Sequence, residues 1–181
     1  HILGAFYLGE AAKLENSEKN LNFAARLMLG HLLAQANPAM GNWLATDIKA
    51  LYEQSLKINP ANDSARIGIG ACYLFGNISS SPMEGINMIR KVAEEKPENA
   101  YAQLMLGLGS VRSGQYDKAV ERFMAVLKLQ PASLEAAFNL AEVYERKGDN
   151  KNAVIWYRKV QQLVQLPEVK SELEKRIKTL E

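Results

Sequence analysis

Residues 100–131 read AYAQLMLGLGSVRSGQYDKAVERFMAVLKLQP, and this stretch decides the fold. It places Leu106-Gly107 in an apolar run and Gly114 at a break. A second run follows, with Tyr116 and Ala119-x-x-x-Phe123, and Pro131 closes it. The wording before that proline recurs: LKINP ends at Pro60, AEEKP at Pro97 and LKLQP at Pro131. The prolines are 37 and 34 residues apart. Proline cannot continue a helix, so each one marks the end of a unit. A fixed period near 34 residues predicts a repeated pair of helices.

The neighbouring stretches carry the same pattern. From Leu134 come Leu140-Ala141, Tyr144, Gly148 and Ala153-x-x-x-Tyr157. From Asp63 come Ile69-Gly70, Tyr73, Gly85-x-x-x-Ile89 and Pro97. From about Phe23 come Leu29-Gly30, Leu33, Ile48-x-x-x-Tyr52 and Pro60. On these residues the chain resembles the tetratricopeptide-repeat family over nearly all of its length. The physical sense of the pattern is packing. Small residues such as Gly107 and Ala119 let two antiparallel helices approach, and larger ones such as Phe123 and Tyr157 fill the space between neighbouring hairpins. One hairpin cannot bury its face alone, so hairpins stack. The expected fold is all-α, a right-handed α-solenoid of about ten helices.

The departures from the pattern carry expectations of their own. Where the family pattern has a bulky residue early in each first helix, this chain has Arg26, Arg66, Gln103 or Ala137. Gln165 stands where the fourth repeat would have proline, so its second helix is expected to run on to Leu166. The first repeat carries about six extra residues at its turn, Ala36 to Gly41, and the second about three within Asn77 to Pro82. Ser81-Pro82-Met83-Glu84 reads as a helix start with a capping box. Residues 1–16, with Gly4-x-x-x-Leu8-x-x-Ala11, copy the spacing of a repeat's second helix and read as half of a hairpin. Residues 168–181 put Val169, Leu173, Ile177 and Leu180 on one face, as a helix closing the stack would. The expected organisation is a single domain over 1–181, with repeats at 23–60, 63–97, 100–131 and 134–166 between the half-repeat and the cap.

Composition narrows the functions. The chain has 181 residues, 48% of them hydrophobic and 23% charged, with a formal net charge of +2. Lys and Arg are spread out, whereas a nucleic-acid footprint needs them concentrated, so no nucleic-acid partner is expected. No window approaches the roughly 18 uninterrupted apolar residues of a membrane span. One cysteine, Cys72, leaves no internal disulfide framework and favours a reducing, cytoplasmic compartment. The chain opens on His1 and not on Met, so periplasmic or membrane-anchored placement stays open. Chemistry-bearing motifs are thin. The histidines are His1 and His31, and no phosphate-cradling loop or zinc-ligand spacing occurs. Neither an enzyme nor a cofactor is expected. Cys72 reads as a buried thiol, Trp156 as packing on the terminal cap, and Asn77-Ile78-Ser79 as a sequon without meaning outside a secretory context.

What the resemblance implies is a concave groove lined by the first helices. At the positions that commonly face it stand Ala24, Leu27, His31 and Ala34, then Ser64, Ile67, Ala71 and Leu74. Tyr101, Leu104, Leu108 and Val111 follow, and then Glu135, Phe138, Glu142 and Glu145. The groove is expected to be apolar in the middle and acidic at its C-terminal end. The Lys/Asn clamp of chaperone-binding relatives has no counterpart: in the first three repeats those places read Leu27, His31, Gly68, Tyr101 and Met105. The expected function is a protein-interaction scaffold holding a peptide or helix of a partner protein. The alternative is an assembly segment of a larger protein, its groove filled by that protein's own N-terminal part or by a second copy in a homo-oligomer.

Overall fold

The computed structural model describes residues 2–78 and 82–181. Its described residues form ten α-helices and no strand: α1 Ile2–Glu15, α2 Glu18–Leu33, α3 Pro38–Ile58, α4 Asp63–Phe75, α5 Pro82–Glu95, α6 Ala100–Arg112, α7 Tyr116–Leu129, α8 Leu134–Arg146, α9 Asn150–Leu163 and α10 Pro167–Leu180. They fall into two compact units, His1–Lys96 and Pro97–Glu181. Within the first, α2 pairs with α3 and α4 with α5, and α1 lies mainly on α2. Within the second, α6 pairs with α7 and α8 with α9, and α10 docks on α9.

The repeated prolines mark the stops, and the residue two places after each starts the next helix. Asn62 Oδ1 accepts from Ala65 N at 2.9 Å, Asn99 Oδ1 from Ala102 N at 3.0 Å, and Ser133 Oγ from Ala136 N at 3.3 Å. Each satisfies one of the orphan N–H groups of a helix start. The turns inside the second unit's hairpins use glycine at positive φ, 70° at Gly114 and 76° at Gly148. There the chain folds back so that Gln115 N donates to Ser110 O at 2.8 Å and Asp149 N to Tyr144 O at 2.9 Å. These six-residue closures use carbonyls that the helix end leaves over.

Hairpins interlock through missing side chains. A Cβ added at Gly107 of α6 would lie 2.5 Å from Phe123 Cε1 of α7, so the ring occupies the glycine's side-chain space. In the α4–α5 hairpin an added Cβ at Gly70 would meet Ile89 Cγ1 at 2.7 Å and Gly85 O at 2.8 Å. Phe123 therefore packs within its own hairpin, against α6. Tyr52 bridges hairpins: its ring lies over Gly68, joining α3 to α4. Phe123, Tyr52 and Ala119 are buried.

The departures from the repeat pattern are resolved locally. Arg66 donates to Asp63 at 2.5 Å and reaches Glu95, near the end of α5, at 3.1 Å. Buried Gln103 accepts from Arg122 at 2.6 Å and donates to Pro97 O at 3.2 Å. A polar residue thus replaces bulk by bridging what it touches. The extra residues of the first repeat do not form a long turn. They lengthen α3 to 21 residues, because Asn37 caps Ala39 N and Met40 N at 3.0 and 3.2 Å and Pro38 is suited to the first turn. In α2 the buried small residues are Ala24 and Ala25, and Gly30 is exposed with nothing near it, so the Leu29-Gly30 alignment is out of register. Helix α9 stops at Leu163 and does not run to Leu166: Val164 and Leu166 are extended, as a residue before proline prefers, which lets the chain turn into α10. The expected cap at Ser81 and the sequon's Ser79 lie outside the described residues.

Gly107→Ala is expected to destabilise the protein by about 1–3 kcal/mol through overpacking against Phe123. Chemical denaturation measures it, and pairing the change with Phe123→Leu should recover part of the loss, since the two side chains compete for one space.

Candidate functional site

The first helices are α2, α4, α6 and α8, and their expected groove positions divide by accessibility. Ile67 is fully buried and Leu74 and Leu104 nearly so, alongside Ala24 and Ala71. They are core residues that a ligand cannot touch. The cause lies in the helices carrying them: residues 67–72 of α4 and 102–107 of α6 are buried without interruption, α4 closed in by Tyr52 at Gly68 and Ile89 at Gly70, and α6 by Phe123 at Gly107. In the first unit, Leu27 is exposed and His31 half-buried, both on α2. In the second, Tyr101 and Leu108 on α6 and Phe138 on α8 are half-buried, and Glu135 is exposed. Phe138 is braced by an edge-on contact with the Tyr157 ring, centroids 6.0 Å apart.

The acidic end is not free to receive a ligand's cation. Arg176 of α10 donates from Nε to Glu145 at 2.9 Å, with Nη2 3.8 Å from Glu142. Its guanidinium also lies 5.1 Å from the Tyr157 ring centroid, a cation–π distance. Tyr157 donates its hydroxyl to the same Glu145 carboxylate at 2.8 Å. Burial works against the charge on Glu145, but the hydrogen bonds from Arg176 and Tyr157 outweigh it and lower its pKa below the ordinary 4.5. Burial, then the bond to Glu145, pushes the Tyr157 phenol well above its usual range. Reading along the repeats alone misses Arg176, because it belongs to the cap.

Helix α10 is held by more than this. Leu173 and Ile177 are buried, Gln161 donates to Lys170 O at 3.2 Å and to Glu174 at 3.1 Å, and Arg158 pairs with Glu181 at 2.5 Å. Trp156 does not face the cap as expected. It lines a shallow cleft with Met124 and Lys128 of α7, and Lys159 Nζ stands 4.9 Å from its ring centroid. One helical step decides this: Tyr157, Val160 and Gln161 point toward α8 or α10, which turns Trp156 to α7. Cys72 is buried, and burial pushes its thiol up to about 12, the state of an inert side chain. Among the described residues no His, Cys, Asp and Glu group is arranged to hold a metal ion, and no helix is long and apolar enough to cross a membrane.

This architecture agrees with known proteins. A tetratricopeptide-repeat family model matches residues 104–165, the α6–α9 segment. Residues 41 to the end of MamA from Desulfovibrio magneticus RS-1 superpose with a TM-score of 0.57 at 22% identity, covering 88% of this chain and 82% of that one. A thermophilic tetratricopeptide-repeat protein of Thermus thermophilus gives 0.59 at 17% identity, covering 99% and 98%. YrrB, a tetratricopeptide-repeat protein with an unusual peptide-binding site, gives 0.58 at 16%, covering 93% and 97%. Residues 104–165 thus match the tetratricopeptide-repeat family, and the chain shares the helical-repeat fold of these structures. In sequence it is similar, at 25% identity over 108 residues, to a probable UDP-N-acetylglucosamine–peptide N-acetylglucosaminyltransferase of Arabidopsis thaliana. That match covers 60% of this chain and 11% of the plant protein, so the chain spans a small part of that relative's length.

Because Glu145 is ionised more readily in the folded protein, its contribution to holding α10 is complete above pH 4.5 and fades as the pH falls through the lowered value. Amide exchange over residues 167–180, followed from about pH 6 to about pH 3, should show α10 loosening at the acid end. Glu145→Gln should weaken α10 at neutral pH and flatten its acid dependence.

Proposed function

We propose that this chain is a protein-interaction scaffold that holds a peptide or helix of a partner protein on its first-helix surface. The part of that surface we assign to the partner is Tyr101, Leu108 and Phe138 in the second unit, with Glu135 at its rim. The observation that carries the reading is the contrast along α6: residues 102–107 are buried, while the apolar Leu108 is left partly in water. Apolar side chains held rigidly and half open are the usual anchors of an interface. The peptide-binding site of YrrB, which shares the fold, supports the same use. In the first unit Leu27, exposed, and His31, half-buried, are the accessible residues of α2 that we assign to the same surface.

Holding, and not catalysis, is the activity we infer. The cysteine is buried and protonated, and the perturbed group Glu145 is engaged with Arg176 and Tyr157 in a structural contact. A protein or peptide is the partner we infer, and not a nucleic acid. Several cations are already paired with carboxylates: Arg66 with Asp63 and Glu95, Lys96 with Asp63, Lys147 with Asp117, Arg158 with Glu181. Leu108 and not Leu104 is the side chain to alter, since Leu104 is core and its loss would confound binding with unfolding. Leu108→Asp is expected to leave the melting temperature within a few degrees of the parent and to weaken partner binding by about tenfold or more. Calorimetric titration with a partner peptide measures it. Undiminished binding by the folded variant would move the site off α6.

A further inference from the structure

The cleft that Trp156 lines lies between α7 and α9, in the interior of the second unit's helix order. Short turns join each of these helices to α8, so each runs antiparallel to α8 and parallel to the other. Their neighbours are in place: α7 packs on α6 and α8, and α9 on α8 and α10. The opening is therefore not left by an end of the chain.

The two helices present the same order of side chains to it. On α7, Met124 is followed four places on by Lys128; on α9, Trp156 is followed three places on by Lys159. Those spacings put each pair on one side of its helix. Met124 is 46% exposed, Trp156 is half-buried, and the buried Leu127 completes the apolar middle. Because the helices run parallel, both lysines stand toward one end of the cleft. Glu121, three places before Met124, stands toward the other.

The lysines are unlike the other cations of this unit. Arg158 and Arg176 are held by Glu181 and Glu145, and Lys147 by Asp117. Among the described residues, no carboxylate pairs with Lys128 or Lys159. Lys159 Nζ instead lies 4.9 Å from the Trp156 ring centroid, which keeps a cation beside the apolar side chains. The cleft measures about 570 Å3, the size of a site for a small ligand or a few residues of chain.

We propose that the α7–α9 cleft is a docking site for an extended acidic segment of a partner protein. The segment sets one large apolar side chain between Met124 and Trp156, and two neighbouring carboxylates against Lys128 and Lys159. Charge selects this occupant: a purely apolar ligand would leave both ammonium groups unanswered. Glu121 fixes the direction, since a segment lying the other way would bring its carboxylates against it. A nucleic acid fits less well, because its charges recur at every phosphate and would run past Glu121. The site is on second helices, so it does not rest on the surface assigned to Tyr101, Leu108 and Phe138.

The probe is an end-capped synthetic peptide of about ten residues, with one leucine beside two glutamates and glycine and serine elsewhere, made in both sequence orders. A control peptide has lysine in place of glutamate. Nuclear magnetic resonance of the 181-residue chain follows the indole N–H of Trp156, with Trp43 of α3 as internal reference. One order of the glutamate peptide should shift Trp156 saturably and leave Trp43 unmoved. Binding should weaken severalfold between about 0.05 and about 0.5 M salt, and the lysine peptide should bind about tenfold more weakly or less. Lys128→Glu combined with Lys159→Glu should reverse the preference, so that the lysine peptide binds and the glutamate peptide does not. A variant that had merely lost its fold would bind neither, and circular dichroism checks this. Leu108→Asp should leave the binding unchanged. A Trp156 signal unmoved at about 1 mM of either glutamate peptide, or undiminished glutamate-peptide binding by the double variant, would overturn the cleft. Tighter binding at Trp156 by a single-stranded oligonucleotide would overturn the acidic segment in favour of a nucleic acid. A Trp156 shift that grows with protein concentration alone would overturn it in favour of a second copy.

Discussion

A phenyl ring resting where a side chain is missing is the contact on which the hairpins depend. Phe123 occupies the space that a Cβ on Gly107 would fill, and Ile89 does the same at Gly70. Dispersion and burial fall off steeply with separation, so a helix pair gains most when the backbones can close to this distance. The glycine itself costs helix stability, by about 1 kcal/mol relative to alanine. That cost is offset because a large ring is buried whole. The same device operates between hairpins, where Tyr52 lies over Gly68. Close approach also explains why residues 67–72 and 102–107 are sealed and only the side chains beyond them remain accessible.

Much of this is legible along the chain. The spaced prolines, the Gly107/Phe123 pairing partners and the charged amphipathic segment after Pro167 specify helices, hairpins and a terminal cap, because each obeys a local rule. What is not legible comes from contacts distant in sequence. Leu104 stands at a first-helix position that faces a groove in this fold, yet its burial depends on how tightly glycine lets neighbours approach. Glu142 and Glu145 read as a free acidic end until Arg176 is found beside them, from a helix the repeat pattern does not include. Trp156 and Tyr157 are adjacent in sequence, and only the direction of α9 decides which of them meets the cap. The length of α3 escapes a reading by repeats because a cap at Asn37 followed by Pro38 starts a helix where an insertion looks like a turn.

The two ends of the chain are treated differently. Helix α10 buries Leu173 and Ile177 and turns Glu168, Glu172, Lys175 and Lys178 to water, a face that invites no further stacking. Helix α1 keeps its apolar positions open and buries only small residues. The side-chain area that holds α1 is that of Ala5, Gly9 and Ala12, so local opening there costs less than in the paired hairpins.

Residue-resolved native-state hydrogen exchange tests this account most directly, since it reads each helix's hold on its neighbours. The account predicts that α6, α7, α8 and α9 exchange slowest, that α10 is protected through its docking on α9, and that α1 is the least protected of the ten helices. Protection of α1 equal to that of α6 and α7 would contradict it, because a helix that buries only small side chains would then be held as firmly as those that bury Leu106 and Phe123.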